Sequence, residues 1–233
     1  GVTSSLYNSN FIMYDDATQS WWHQVSGEAI IGSMIGTRLE MLPSLVVGFA
    51  TFAERYPDGL VLVGDATMPD QHYGINPYSG YDNSDGPLLS NGEFDPRLQP
   101  MQRVLAAVVD GQPVAYDFAH LETVGVVNEV VSEQPVVAFW QPGAVSVLDA
   151  REIVSSRDVG QAALFHRVWE GQTLTFRSEA QRIVDNETNS EWNIFGEAIS
   201  GPLTGAALER YDCFQHFWFA WSSTYPQTLL YGS

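Results

Sequence analysis

The sequence contains no lysine: all ten basic residues are arginines, set against 28 Asp and Glu, for a net charge of −18. A surface this acidic repels phosphate backbones and excludes nucleic acid as an expected partner. Acidity keeps a secreted protein soluble and equally suits a high-salt habitat, and composition leaves both open. A single cysteine, Cys213, excludes an intrachain disulfide. No run approaches the ~18 apolar residues of a membrane helix, so no membrane span is expected. The opening "GVTSSLYNSN" lacks the basic and apolar regions of a signal peptide, so any export signal or anchor is expected upstream of Gly1. The sequence has no G-x-S-x-G, H-E-x-x-H, Walker A, G-x-G-x-x-G or Cys-x-x-Cys. No cofactor is therefore evident, and no carboxylate pair stands out among the many acidic residues.

What is present is a globular chain of 233 residues, 45% hydrophobic, long enough to bury a real core. It writes one phrase twice. "GEAIIGSMIGTRLE" (27–40) and "GEAISGPLTGAALE" (196–209) agree at eight of fourteen positions. The match extends to "YDDATQSWW" (14–22) against "VDNETNSEW" (184–192), and to "ERYPDGLVL" (54–62) against "STYPQTLLY" (223–231). This is a duplication at an offset of 169–170 residues. Copy B has a lead-in of about residues 101–175 that copy A lacks. Copy A therefore reads as truncated, its remainder removed, outside this sequence or supplied by another chain.

The lead-in reads as β-hairpins. "RVLAAVVDGQPVAYDF" turns at Asp110-Gly111 and "ALFHRVWEGQTLTFR" at Glu170-Gly171; "GVVNEVVSEQPVVAFW" breaks at Ser132–Gln134, and "RIVDNETNSEWNIF" carries a longer polar turn. Each copy offers one short helix, 50–57 and 216–226, stopped by Pro57 and Pro226. The expected fold is mainly β, α+β at most: an internally duplicated, hairpin-rich fold with one short helix per copy. Residues 1–64 form the C-terminal half of copy A, 65–100 an irregular connection and 101–233 a complete copy B, together one compact pseudo-symmetric domain.

"GVTSSLYNSNFIMYDDATQSWWHQVSGEAIIG", followed by "NPYSGY", "VVNEVVSEQPVV", "LTF" and "HFWFAW", resembles the prokaryotic domain-of-unknown-function 3179 family over nearly the whole chain. The resemblance implies an exported or lipid-anchored protein, hence an extracytoplasmic location, without a firm activity. Members of that family carry a Cys-Pro-x-Cys segment ahead of the opening phrase. The equivalent place in copy B is "FWQPGA", where Gln141 and Ala144 stand about where the cysteines would be and Pro142 is kept. Thiol or soft-metal chemistry implied by the family therefore does not carry over onto residues of this chain.

Residues shared by both copies are expected to hold the fold: Gly27, Gly32 and Gly36 with Gly196, Gly201 and Gly205, Trp22 with Trp192, and Glu28 with Glu197 as acceptors of backbone N–H groups in a turn. Residues found in one copy are the better site candidates. His23 stands where copy B has Asn193, and Asp16 opposite Asn186; with Glu28 they are the catalytic candidates, His23 as a general base. Cys213 and His216 make a Cys-x-x-His, too few ligands for zinc. Asp82, Asp85, Glu93 and Asp95 offer hard oxygen ligands for calcium, or simply a solvated acidic loop. Tyr73, Tyr78 and Tyr81 offer an aromatic surface for a partner or a carbohydrate, or plug the loop onto the body.

The expected function is an exported, non-catalytic binding or structural module, an accessory subunit of a larger assembly. A protein partner, or the missing half, is expected at the Gly1 edge, where an unpaired strand invites addition. The alternative is an enzyme or metal-redox protein whose active centre lies mainly in the upstream, Cys-containing half.

Overall fold

A computed structural model of the chain describes residues 1–64, 73–90 and 93–232. Copy A opens with an antiparallel meander, β1 (Val2–Tyr7), β2 (Asn10–Tyr14), β3 (Trp21–His23) and β4 (Ala29–Ile31), followed by α1 (Phe49–Arg55). After the connection come the hairpin β5 (Arg103–Val109) and β6 (Gln112–Asp117), α2 (Phe118–Val124), then β7 (Val126–Val131), β8 (Gln134–Gln141) and β9 (Gln161–His166), which form a three-stranded sheet. A small ribbon, β10 (Val168–Trp169) and β11 (Gln172–Thr173), leads into the second meander: β12 (Phe176–Glu179), β13 (Arg182–Asp185), β14 (Glu191–Trp192) and β15 (Ala198–Ser200). The chain closes with β16 (Cys213–Phe217), α3 (Trp218–Thr224) and β17 (Leu229–Tyr231). β16 pairs antiparallel with β5, and β17 pairs parallel with β6, giving a sheet of order β16-β5-β6-β17.

The fold is mainly β, as the hairpin signals imply. Among the described residues five hairpins close through two-residue loops: Asn8-Ser9, Asp110-Gly111, Ser132-Glu133, Glu170-Gly171 and Ala180-Gln181. Both loop residues have positive φ in every case. That geometry matches the right-handed twist of the flanking strands, which is why strand pairing imposes it even on Ala180 and Gln181.

The sheet β16-β5-β6-β17 is buried on both faces, with the period of two that pleating dictates. Leu105, Ala107, Val109, Val114 and Tyr116 enter the main core with β7–β9 and the second meander. Val104, Ala106 and Ala115 face α3, packing with Trp218, Phe219, Trp221 and with Val25 of copy A. Each fully buried large apolar side chain contributes roughly 1.5–3 kcal/mol.

Among the described residues three α-helices stand where two were expected. α2 forms because Asp117 caps it, its carboxylate accepting the Ala119 N–H at 3.2 Å, and because Phe118 and Leu121 bury; Gly125, at φ 72°, ends it. The expected helix at 216–226 begins only at Trp218, since Cys213–Phe217 is held as a strand by β5.

The copies exchange helices. α1 of copy A lies against the second meander, with Arg55 donating to both oxygens of Glu197 (2.6 and 2.7 Å) and Tyr56 edge-on to Phe195. α3 of copy B lies against the first meander, where Asn10 Nδ2 donates to the Ala220 carbonyl and to Ser223 Oγ.

Candidate functional site

The repeated phrase builds the same device twice. The Asp15 carboxylate accepts the Thr18 N–H (2.7 Å), the Thr18 hydroxyl and the Trp22 indole N–H (2.9 Å). Asp185 accepts the Thr188 N–H (2.5 Å) and hydroxyl (2.8 Å), the Ser190 N–H (3.0 Å) and the Trp192 indole N–H (3.0 Å). Ser20 and Ser190 then accept the Met34 and Leu203 N–H groups, at 3.1 and 2.9 Å. Gly32 and Gly201 press on these serines at φ 99° and 89°; a Cβ at either would lie 2.7 Å from the serine Cα. The bonds from Thr18, with that from Trp22, hold the Asp15 carboxyl down at about 2. Burial opposes ionisation of Asp185, but the bonds from Trp192, Thr188 and Ser190 outweigh it and hold that carboxyl below its ordinary range. These shared residues hold the fold.

Glu28 and Glu197 do not pin the turn through backbone N–H groups. Glu28 pairs with Arg38 at 2.9 Å and Glu197 with Arg55. In copy B the turn is held by Asn193, whose Oδ1 accepts the Phe195 and Glu197 N–H groups. In copy A the matching turn is one residue longer, which accounts for the step in offset from 170 to 169. There His23 Nδ1 meets Ser26 Oγ at 3.0 Å, and His23 Nε2 is buried with no partner among the described residues. His23 is 3% exposed, its ring edge-on to Tyr7, and burial pushes its pKa down against the pull of Glu28. Asp16 is exposed and makes no hydrogen bond among the described residues. The His23 N–H donates to the Glu28 carbonyl at 2.8 Å, but among the described residues no hydrogen bond joins the side chains of His23, Asp16 and Glu28.

The connection between the copies is latched onto copy B. The Asn76 and Gly80 N–H groups donate to the Arg151 and Asp149 carbonyls (2.7 and 2.6 Å), and the Ile153 N–H donates to Gly74. At its centre Asp82, whose side chain is wholly buried, accepts through one oxygen from Arg103 (3.0 Å), Arg157 (3.1 Å) and Ser146 (2.5 Å). Its other oxygen and Arg103 Nε are buried without hydrogen-bond partners among the described residues. Beside this cluster opens a cavity of about 540 Å³ lined by Arg103, Arg157, Gln102, Glu122 and Asp158. It offers donors and acceptors of both signs, a lining suited to holding a polar group. A second cavity, about 550 Å³, lies under α1 and is lined by Thr51, Arg55, Gln141, Gln161, Asn193 and Glu197.

The calcium candidates do not converge. Asp82 is committed to arginines, Asp95 pairs with Arg97 at 2.7 Å, and Asp85 and Glu93 are exposed. No three His, Cys, Asp or Glu side chains form a metal-holding group among the described residues. Tyr81 plugs the loop onto the body, edge-on to Phe217, whereas Tyr73 and Tyr78 are exposed. Cys213 and His216 face opposite ways from β16. The Cys213 thiol enters the main core, where burial pushes it up to about 11, and His216 stacks on Trp221, where burial pushes it down to about 4.

The Asp82–Arg103–Arg157–Ser146 latch and the Arg55–Glu197 clamp went unread in the sequence. Their partners lie 21 to 142 residues apart, so no local pattern announces them.

Fold and site together define a β-rich module of two unequal copies, stapled by a latched connection and by exchanged helices. The chain belongs to the family described as protein of unknown function DUF3179, whose family model matches residues 1–228. No curated protein and no solved structure matches the chain.

Proposed function

We propose that this protein is an extracytoplasmic, non-catalytic binding or structural module, an accessory part of a larger assembly. The observation that carries the reading is the connecting loop. Its backbone is tied to copy B and its Asp82 is buried, yet Tyr78, Leu88 and Leu89 face solvent. Holding aromatic and apolar side chains outward on a loop tied down at residues 74–82 lowers the ordering cost of association. Location outside the cytoplasm rests on the family resemblance. A protein partner, or further polypeptide completing copy A, belongs at the edge formed by β1, which pairs only with β2 among the described residues. A photo-cross-linking residue at position 78, in the protein expressed in its native host, should trap a partner protein in the exported fraction. Absence of any cross-linked species, with Tyr78→Ala and Leu89→Asp leaving all associations of the protein unchanged, would refute the reading.

One observation favours a second reading, an enzyme or metal-redox protein whose active centre lies mainly in an upstream, Cys-containing half: His23 Nε2 is buried with no hydrogen-bond partner among the described residues. Metal analysis of the native protein, with and without His23→Asn, tests it; no bound metal and no His23-dependent activity would remove it.

A further inference from the structure

The cavity of about 540 Å³ beside the latch has polar groups that the fold does not use. Both arginines of its lining, Arg103 and Arg157, donate to one oxygen of Asp82. The Asp82 side chain is 0% exposed, yet its Oδ1 has no hydrogen-bond partner among the described residues, and neither has Arg103 Nε. Gln102 spends its amide N–H on Asp117 at 2.7 Å, which leaves its carbonyl oxygen to accept. Glu122 on α2 and Asp85 on the loop are exposed and join no ion pair among the described residues. Phe118 and Val159 make the apolar part of the wall.

These groups select a ligand by charge and by hydrogen bonding. Four carboxylates, Asp82, Asp85, Glu122 and Asp158, line the cavity against two arginines, on a chain of net charge −18. An anion would enter against that field. An apolar ligand would leave Asp82 Oδ1 and Arg103 Nε buried and unmatched, a state that folded proteins rarely keep. A hydroxyl group both donates and accepts, so hydroxyls answer the carboxylate oxygen and the guanidinium N–H together. A sugar ring adds a C–H face for an apolar wall, and a cavity of this size falls in the range that holds small ligands.

The space does not end at Glu122. Glu122 also lines a neighbouring cavity of about 220 Å³, together with Trp140, Pro142 and Gln181. Pro142 and Gln181 in turn line the cavity of about 550 Å³ under α1. The three adjoin in one run along copy B, and carboxamides and carboxylates recur along it: Gln102 and Glu122, then Gln181, then Gln141, Gln161 and Asn193. A run of this kind suits a chain of repeating hydroxylated units. A peptide laid there would need an open strand edge for its backbone. β8, which borders the run through Trp140 and Gln141, is already paired on both sides, with β7 and β9.

We propose that this cleft binds a neutral oligosaccharide, with one sugar unit seated against Asp82, Arg103 and Glu122 and further units reaching Gln181. Tyr78, Leu88 and Leu89 line none of the three cavities, so the cleft and the partner surface on those residues stand or fall independently.

The native protein, tested on an array of neutral and acidic glycans and then by titration calorimetry, decides the matter. At least one neutral oligosaccharide should bind, and glycans bearing uronate or sulfate groups should not. A bound tetrasaccharide should have a higher affinity than its monosaccharide unit. Glu122→Ala should weaken both at least about tenfold, the effect of losing a hydrogen bond to a charged group. Gln181→Asn, which keeps a residue suited to positive φ, should weaken the tetrasaccharide and spare the monosaccharide. Asp82→Leu/Arg103→Met should abolish binding in a protein that a urea titration shows to be folded. A blank array would overturn the proposal, whether or not a basic peptide binds in place of a glycan. So would a preference for acidic glycans, equal affinity for the monosaccharide and the tetrasaccharide, or full binding by the folded Asp82→Leu/Arg103→Met protein. None of these outcomes bears on the cross-linking experiment at position 78.

Discussion

Asp82→Ala removes the hub of the latch, and the structure sets the size of the loss. The Asp82 side chain is fully buried and Arg103 is 17% exposed, so the substitution leaves a guanidinium group buried without its carboxylate. Breaking a buried pair from one side costs about 3–5 kcal/mol. Arg157 is 45% exposed, and its share is that of a surface pair, about 0–1 kcal/mol. The expected loss is therefore about 3–6 kcal/mol, read as a fall in the urea midpoint at constant slope. Where the loop peels away before global unfolding, part of that loss appears instead as new protease cleavage between residues 73 and 90. The double variant Asp82→Leu/Arg103→Met should recover most of the stability, because an apolar pair of similar volume has no desolvation cost to offset. A loss under about 1 kcal/mol for Asp82→Ala, with no new cleavage in the loop, would refute the account of the latch.

Four further outcomes are expected. Asp15 titrates at about 2 in the folded chain, below its ordinary 3.8; its contribution to stability is present above about pH 4 and is lost as pH falls towards 2. Urea midpoints measured from pH 6 to pH 2 should therefore fall less steeply below pH 4 for Asp15→Asn, and an unchanged slope would contradict the assignment. Gly201→Ala should cost roughly 1–3 kcal/mol from backbone strain plus the clash on Ser190, whereas Gly205→Ala, with nothing within 4 Å of its Cβ, should cost about 1–2 kcal/mol; thermal denaturation ranks them, and the reverse order would be incompatible with the packing. The Cys213 thiol, pushed up to about 11 by burial, should resist Ellman's reagent at pH 8 until the protein unfolds; labelling of the native protein at the rate of a free thiol would show that the strand is open. His23→Asn should leave residues 1–233 folded and about 1 kcal/mol more stable, because the lone buried Nε2 disappears; a marked loss in calorimetry would mean that His23 is already satisfied.

The sequence carried the strand content because β-branched runs and Asp-Gly or Glu-Gly turns act locally, at Asp110-Gly111 and Glu170-Gly171. It carried the duplicated devices because their side chains recur at fixed spacing: Asp15, Thr18, Ser20 and Trp22 against Asp185, Thr188, Ser190 and Trp192. Three things were not legible. The turn at Ala180-Gln181 uses residues with no taste for positive φ, and only the paired strands force them there. Helix α2 is too short for a periodic signal and shows itself only through its cap residues, Asp117 and Gly125. The role of Glu28 and Glu197 depends on Arg38 and Arg55, and Arg55 arrives from the other copy across 142 residues.

The differences between the copies also follow a physical order. In copy B the turn after β14 is a closed network: Asn193 holds the backbone and donates to Glu197, and Glu197 takes both arms of Arg55 from α1. Every strong group in it has a partner, and its helix α1 is donated by the other copy. In copy A the corresponding histidine has one nitrogen paired and one buried without a partner among the described residues, and Glu28 reaches out to Arg38, whose side chain is 67% exposed. A buried unpaired polar atom costs about 1–3 kcal/mol, and an exposed pair returns at most about 1 kcal/mol. Among the described residues copy A therefore carries an uncompensated cost that the matching turn of copy B does not.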